Sequence, residues 1–591
     1  MTPLRYPLLA VALCSLAVAS PLQAKKAEPQ TYQTSTLSVP TVYSADPAVK
    51  LSLEQIMADP DWLGRQPEHA VWSADSSQIY YQRKREGSEL RDWYVRPLSV
   101  VDNGKLVELA DLHQISDDEV VYNAERSSQA YIFEGNLFVR HLAEGTLSQL
   151  TRDGAQQSEP QFLLDGRLAY REGWTYYALD LTSGLRTELA SLKTAEQPKA
   201  PTAAKGYLAQ QQAELIEFIA LEQRNAEQRY QAKQQLQAEN STVEPKAFYL
   251  GKDMHIVAAS LSPKADYMLV SLRKATKRSD KDIMPNYITA NGDIAAERVR
   301  ARVNDVTPAP QRILLLSLQD GSSTELSYNS LPGYNEDVLA EVKAENAKAR
   351  GEKYKTAKVI RDIGLMTDWY WNQSAMRWHS SGEQVALMLK ALDNKDRWIA
   401  TVDLQKKTLV PQHRLHDKAW VNYAFNDYGW LHNSDSLYYL SEESGYAHLY
   451  LKPLKGKAKK LTSGTFEVSS PVLTKDDSYI YFQANVNHPG NYEVYRTELA
   501  SGDMQQLTRL GGSTSFTLSP DEQKLLLNFS TNLLPNELYL ADAKPGAEVV
   551  RLTNTISEQF KQLPLVAPQV VAVPSSHGEQ PVFSKVYYPA D

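Results

Sequence analysis

One pattern of apolar and polar positions returns along the whole chain. An aromatic residue or Leu is followed by a Ser-like residue, a polar turn with Asp or Gly, and then an apolar strand. It runs as Trp72-Ser73-Ala74-Asp75 into Ile79-Tyr80-Tyr81, and as Leu261-Ser262-Pro263 before Tyr267-Met268-Leu269-Val270. It returns as Trp378-His379-Ser380-Ser381-Gly382 before Val385-Ala386-Leu387-Met388. Trp430 before Leu437-Tyr438-Tyr439-Leu440, Leu473 before Tyr479-Ile480-Tyr481-Phe482, and Leu518-Ser519-Pro520-Asp521 before Leu525-Leu526-Leu527 repeat it. Weaker copies begin near Asn123 and Phe162. The anchors at 72, 123, 162, 261, 378, 430, 473 and 518 lie 51, 39, 99, 117, 52, 43 and 45 residues apart. Five of these seven intervals suit one four-stranded propeller blade of ~40–50 residues. A second marker agrees: Leu461-Thr462, Leu507-Thr508 and Leu552-Thr553 each close a strand, 46 and 45 residues apart. Turns such as Gln319-Asp320-Gly321 and Ser501-Gly502-Asp503 separate the short strands. The pattern predicts an all-β chain, an eight-bladed β-propeller. One blade cannot cover both faces of its sheet, and radial stacking lets each blade cover its neighbour.

The two long intervals predict helical insertions at about 205–244 and 335–350. Tyr207 to Glu244 holds no Gly or Pro, and Leu208, Leu215, Phe218, Ile219 and Glu222 trace a mostly apolar stripe at helical spacing. Pro201 precedes it and Pro245 ends it. The second insertion opens at Asn335-Glu336-Asp337, read as an N-cap with acids in the first turn, and stops at Gly351. Both read as arms on a blade edge with solvated charged faces. Contact with a substrate or partner is the functional alternative.

The first 24 residues read as a signal peptide. Arg5 gives the positive end, Leu8 to Ala19 is a run of 12 apolar or small residues, and Leu22-Gln23-Ala24 offers a cleavage site. A spanning helix needs ~20 residues. Cys14, the single cysteine, lies inside the run after Leu13, where a lipid-anchor signal wants a small residue. Cleavage leaves an exported chain, periplasmic or secreted, without cysteine. Residues 25–50 then form an N-terminal linker and 51–556 the propeller.

Composition narrows the function classes. There are 63 Lys+Arg against 71 Asp+Glu, a charge of -8, so no broad basic surface awaits nucleic acid. Hydrophobic residues at 42% and charged residues at 23% exclude a disordered chain and a membrane bundle. The 33 Tyr against 12 Phe favour pleated, half-buried surfaces. The hydrolase elbow Gly-x-Ser-x-Gly is missing. Its nearest match, Gly511-Gly512-Ser513-Thr514-Ser515, lacks the last Gly and reads as a turn. His-Glu-x-x-His, the Walker loop and Gly-x-Gly-x-x-Gly are missing too, so no metal or other cofactor is expected. His379, His432 and His448 fall in repeat positions and read as structural.

Tyr438 to Tyr450 carries Ser441, Glu442, Gly445, Tyr446, His448, Leu449 and Tyr450 in an order that resembles the dipeptidyl peptidase IV branch of the prolyl oligopeptidase family of serine peptidases. Leu461-Thr462-Ser463-Gly464 with Glu467-Val468, the segment from Asp393 to Trp398, and the blade count fit the same resemblance, over roughly residues 50 to 590. In that family an eight-bladed propeller caps an α/β-hydrolase domain that follows it and carries Ser, Asp and His. Here Val571 to Pro589 alternates, turns at His577-Gly578, and resembles the linker into such a domain. Residues 557–591 are therefore expected to be linker strands toward a hydrolase absent from this chain, since a hydrolase needs roughly 200 residues. No catalytic residue is expected within it.

The family reads the substrate amine with paired glutamates after an Asp-Trp segment, because a cation is held firmly by carboxylates in a partly desolvated pocket. Asp368 and Trp369 resemble that segment, but Asn372 and Gln373 follow. Glu214 and Glu217, one turn apart, are candidate substitutes. Arg397 is a candidate partner for a substrate carbonyl or carboxylate. Solvated helix charges and a blade-edge salt bridge are their structural alternatives.

The resemblance implies the substrate-gating propeller of an exported peptidase acting on short peptides, truncated before its catalytic domain and inactive alone. Its partners are a peptide and the hydrolase domain, with no nucleic acid and no membrane anchor; homo-oligomerisation is left open. A stand-alone periplasmic propeller that binds a peptide or protein is the rival, and a hydrolase on a separate chain is a third. The apolar tail with Val582, Phe583, Val586 and Tyr587 favours the first, because a finished propeller has no use for it.

Overall fold

A computed structural model of the chain describes residues 49–588 apart from 100–101, 118–119, 203–204, 277–282, 300–308, 367–373 and 579. The signal peptide and Asp368-Trp369 lie outside the described residues.

Eight antiparallel sheets follow one another along the chain, spanning 68–106, 121–149, 157–193, 254–326, 363–416, 428–460, 468–506 and 513–551. Each is built on a four-strand meander, and together they are the eight blades; the third sheet adds Phe248–Tyr249 as a parallel fifth strand, the fourth is interrupted by a separate hairpin, and the fifth has its first strand in two pieces, Ile363–Leu365 and Met376–Trp378. The sequence anchors fall at or just after the end of each blade's first strand. Their Ser-like residue closes the next turn. Ser73, Ser262, Thr474 and Ser519 each accept from the backbone N–H five residues on, at 2.9–3.1 Å. Three of these hydroxyls donate to the Asp two residues later: Asp75, Asp476 and Asp521. The second marker is a lock between strands three and four. The hydroxyls of Thr462, Thr508 and Thr553 accept the N–H of Leu449, Val494 and Leu538. Leu150-Thr151 repeats this in blade 2 on Leu137.

The core lies between blades. Leu269 and Leu315 of blade 4 pack on Leu387 and Trp398 of blade 5. Met388 and Ile399 of blade 5 meet Tyr439 and Tyr450 of blade 6 on its other face. Each fully buried Leu or Ile contributes about 1.5–3 kcal/mol relative to exposure. The ring closes in the same manner: Ile79 and Tyr81 of blade 1 pack on Leu526 and Leu538 of blade 8, and the Trp72 indole donates to the Thr517 carbonyl at 3.1 Å. Gly64 forms a bridge with Ile556 at that seam. Its φ is +101° and a Cβ there would fall on the Thr555 carbonyl oxygen, so only glycine suits the approach.

A four-strand meander puts its blade-to-blade connectors and its strand 2–3 loops on one rim, and its two other turns on the opposite rim. The connector rim carries every large insertion. Between blades 3 and 4 stand the helices Tyr207–Leu215 and Glu217–Glu239. They are separated by Ile216, whose φ of -114° and ψ of 93° break the helix. Leu208, Leu215 and Phe218 of the predicted stripe are exposed. Blade 4 adds a hairpin, Ile283–Asn286 with Ala295–Arg298.

The second insertion is the helix Ala340–Ala349, and Gly351 turns the chain beyond its end at φ +74°. Its start corrects the sequence reading, because Asn335-Glu336-Asp337 precedes the helix without capping it. Glu336 is drawn instead to Arg414 at 2.7 Å. Arg361, at the end of the same insertion, reaches Asp396 at 2.6 Å and Asp393 at 2.7 Å. These ion pairs fasten the insertion to blade 5. After blade 8 the chain stays on this rim as a ribbon, Gln569–Val573 with Val582–Val586. The ribbon touches the strand 2–3 loops of blades 7 and 8 through Phe583 on His488 and Lys585 on Asn532.

Candidate functional site

The first strand of each blade faces the ring axis, where a channel opens. Its main chamber, about 1140 Å³, is bounded by blades 3 to 7. A second chamber of about 310 Å³ is bounded by blades 1, 2, 7 and 8 and shares Val472 and Leu473 with the first. Irregularities in the first strands shape the wall. Register shifts interrupt the pairing of these strands in blades 1, 3, 4 and 7. His69, Glu159 and Ser470 adopt positive φ there. Such bulges re-aim side chains at a rim or pore.

The blade 3 wall is charged but paired. Arg171 reaches Glu159 at 2.8 Å and lies 5.0 Å from the Trp174 ring centroid. The Tyr176 hydroxyl donates to Glu159, and burial pushes its pKa well above the ordinary range. Across the chamber, Arg377 lies 5.5 Å from the Tyr428 ring, and the Trp430 indole donates to the Arg377 carbonyl at 2.9 Å. His432 is held by Asp477 at 3.1 Å. The wall is therefore aromatic and polar, with its charges spaced out, and suits an extended chain with mixed side chains.

The residues singled out in the sequence do not converge here. Glu214 and Glu217 are exposed on the helical arm, on opposite sides of the Ile216 break, so they share no continuous helix face. Neither lines the channel. Arg397 corrects the expected substrate contact. It is only 2% exposed and donates to the carbonyls of Phe425 and Leu440, both at 3.1 Å, and to the Asn426 side chain. It cross-links blades 5 and 6, and burial pulls its pKa down to about 10, still above neutrality. Asp368 and Trp369 cannot be placed. The ends of their segment are placed: Met366 and Ala375 both pair with Met388, so the chain leaves and rejoins the first strand of blade 5 at one point.

The Ser441-to-Tyr450 motif is structural. The Ser441 hydroxyl accepts from the Glu443 N–H, Gly445 turns at φ +96°, and Tyr450 reaches Ser444 at 3.1 Å. Glu443 also holds His413 at 2.6 Å. The channel residues Glu159, Arg171, Arg377 and Trp430 were the ones sequence reasoning missed as a set. The available signal for Glu159 and Arg377 was position, since both just precede an anchor that ends a first strand; Arg171 sits on the second strand of blade 3, where no such marker falls.

Residues 346–536, which span blades 5 to 7 and part of blade 8, match the family model described as Dipeptidyl peptidase IV (DPP IV) N-terminal region. Comparison with curated proteins finds no match. Among solved structures, Porphyromonas gingivalis dipeptidyl peptidase 4 superposes with a TM-score of 0.52 at 11% identity, covering 92% of this chain and 67% of that one. A putative dipeptidyl aminopeptidase IV from Bacteroides ovatus ATCC 8483 gives 0.48 at 13% identity, covering 88% and 64%. The chain thus spans about two thirds of the length of these structures. The first superposition shows a shared fold, and the family match is confined to residues 346–536 of this eight-bladed propeller.

Proposed function

We propose that this chain is the substrate-gating propeller of an exported serine peptidase of the dipeptidyl peptidase IV type. It works on short peptides with an α/β-hydrolase domain that supplies Ser, Asp and His. The observation that carries the reading is the channel. A main chamber of about 1140 Å³ admits a short extended peptide and excludes a folded protein, so the ring acts as a size filter. The hydrolase serine attacks the scissile carbonyl and forms an acyl-enzyme, while the propeller admits and positions the peptide. Asp368 and Trp369 enter this proposal as the segment that reads the peptide end, because Leu365 and Ser374 on either side line the channel.

The connector rim supports a docked domain. Met57, Ile360, Val582 and Phe583 are exposed there, and apolar surface of this kind favours a covering partner. The charged n-region, apolar run and cleavage site support export. One experiment tests the reading: treatment of native periplasm with a fluorophosphonate probe, followed by capture with an antibody to the propeller. The expected result is a labelled serine, on the captured polypeptide or on one bound to it. Capture of an unlabelled propeller with no labelled partner would leave the stand-alone binding propeller. The pure 591-residue chain should stay unlabelled.

A further inference from the structure

Blade 6 departs from the other seven blades at one turn. The third and fourth strands of each blade meet at the outer wall, on the rim opposite the connectors. Seven of these turns hold a carboxylate, in the turn or at the strand end that enters it. Asp102, Asp180, Asp320 and Asp403, of blades 1, 3, 4 and 5, each use it to accept a backbone N–H at 2.8–2.9 Å. Blades 2, 7 and 8 carry Glu144, Asp503 and Asp542 there. The blade 6 turn, 454–458, has none, and closes with the Gly456 N–H on the Pro453 carbonyl at 3.0 Å.

A run of lysines stands in place of the acid. Lys452, Lys455, Lys457, Lys459 and Lys460 fall within nine residues, and no Asp or Glu occurs from 444 to 466, in a chain whose charge is -8. The last four are exposed. None of the five forms an ion pair among the described residues; Lys460 donates to the Ser444 hydroxyl at 2.7 Å and Lys452 to the Pro453 carbonyl at 2.9 Å. The neighbouring turn of blade 7 carries Glu498 and Asp503, which offset part of this charge and leave the blade 6 edge with the surplus. Lysine on an outer strand blunts edge pairing, and Lys459 and Lys460 do that. Lys455 and Lys457 lie in the turn, outside the ladder, and need another reason. The Lys459 amine lies beside Gly502 of blade 7, whereas Lys460 turns to Ser444 of its own blade. Amines that leave a narrow edge in different directions do not converge on one small anion, which needs donors aimed at a common centre. They all meet a plane laid against that edge.

We propose that the outer edge of blade 6, from Lys455 to Lys460, is an electrostatic docking surface for an anionic lipid bilayer, which it engages at the headgroup phosphates, reversibly and without insertion. Each lysine close to such a surface strengthens adsorption about 5-fold, and the attraction fades beyond a Debye length of ~10 Å at 0.1 M salt. The surface owes nothing to the peptide-gating reading. Because the turn lies on the rim opposite the connectors, docking there leaves the connector rim, with its exposed Val582 and Phe583, open to a hydrolase domain.

The test is co-sedimentation of the chain, without its first 24 residues, with phosphatidylcholine vesicles and with vesicles in which a quarter of the lipid is phosphatidylglycerol. Binding should be confined to the anionic vesicles and should be lost between about 0.05 M and about 0.5 M salt. Lys455→Gln, Lys457→Gln and Lys459→Gln together should weaken it about 100-fold. Lys199→Gln, Lys205→Gln and Lys233→Gln together change the net charge equally, at the insertion between blades 3 and 4, and should leave binding unchanged. All six lysines are exposed, so both variants keep the fold. Equal losses from the two variants would mean that net charge alone decides, and overturn the surface. Equal binding to both kinds of vesicle, binding that survives the blade 6 variant, or no binding in low salt overturns it as well. Binding of a DNA oligonucleotide that requires the three blade 6 lysines, without vesicle binding, overturns the bilayer as the partner.

Discussion

Blades 6, 7 and 8 put a polar side chain at the same point, the start of the third strand, and satisfy it in opposite ways. In blade 7, Glu493 accepts from the N–H groups of Leu510 and Gly511 at 2.6 and 2.8 Å, and from the Thr508 hydroxyl at 2.6 Å. In blade 8, Glu537 accepts from the Thr555 N–H at 2.6 Å, from Arg551 at 3.0 Å, and from the Thr553 hydroxyl. In blade 6 the residue is His448. Its Nε2 donates to the Gly464 carbonyl at 3.1 Å, and its Nδ1 pairs with the Thr462 hydroxyl at 3.1 Å. The threonine is constant, and its partner decides which backbone group the connector turns inward. A carboxylate can only accept, so amides face it. An imidazole can donate, so a carbonyl faces it. The repeat therefore fixes a position and leaves the chemistry free.

The comparison breaks most directly at Glu537, which is fully buried. Glu537→Ala takes the carboxylate from Arg551, which keeps the Thr553 carbonyl, and leaves the connector amides without their acceptor, beside the Gly64–Ile556 bridge that closes the ring. The expected loss is about 3–5 kcal/mol in urea unfolding, as for breaking one side of a buried pair. A loss below about 1 kcal/mol would mean that apolar packing alone holds the seam.

The threonines give a smaller and more selective test. Thr508→Val takes a donor from a buried carboxylate, whereas Thr462→Val takes one from a neutral ring. Both should destabilise by about 1–3 kcal/mol, with Thr508→Val the costlier, since bonds to charged groups are stronger. Equal costs would show that the hydroxyl's service to the strand N–H, common to both blades, is the whole effect.

The same contrast explains what could be read from the chain alone. The repeats were legible because each marker is one local hydrogen-bond device, a Ser or Thr closing a turn or locking two strands, and local devices leave a spaced signature. Leu150-Thr151 carries the lock in blade 2 and could have been found by the same dipeptide. The helix break at Ile216 was not legible, since neither Gly nor Pro marks it. The role of Arg397 was not legible either. Two of its three partners are carbonyls, from Phe425 and Leu440, and backbone acceptors leave no trace in side-chain identity. The channel wall was half legible: the anchors located the strands, but the bulges that turn Glu159 and Ser470 depend on the neighbouring strand.

The smallest effect is a pH dependence, and it carries the sign of the contrast. Burial pulls the His448 imidazole below its ordinary 6.5. Between those two values the unfolded chain binds a proton that the folded chain refuses. Stability from this site is therefore full above 6.5 and falls as pH drops through the folded value, by at most ~1.4 kcal/mol per pH unit. Burial instead raises the Glu493 carboxyl above its ordinary 4.5. There the folded chain holds the proton longer, so that stability is present below 4.5 and is lost as pH rises through the folded value. Urea unfolding of His448→Gln and Glu493→Gln against the parent, between about pH 7.5 and about pH 4, separates the two. Removing the histidine should flatten the acid loss, and removing the glutamate should remove a loss that grows with rising pH. Slopes of the same sign in both variants would mean that the two blades share one chemistry after all.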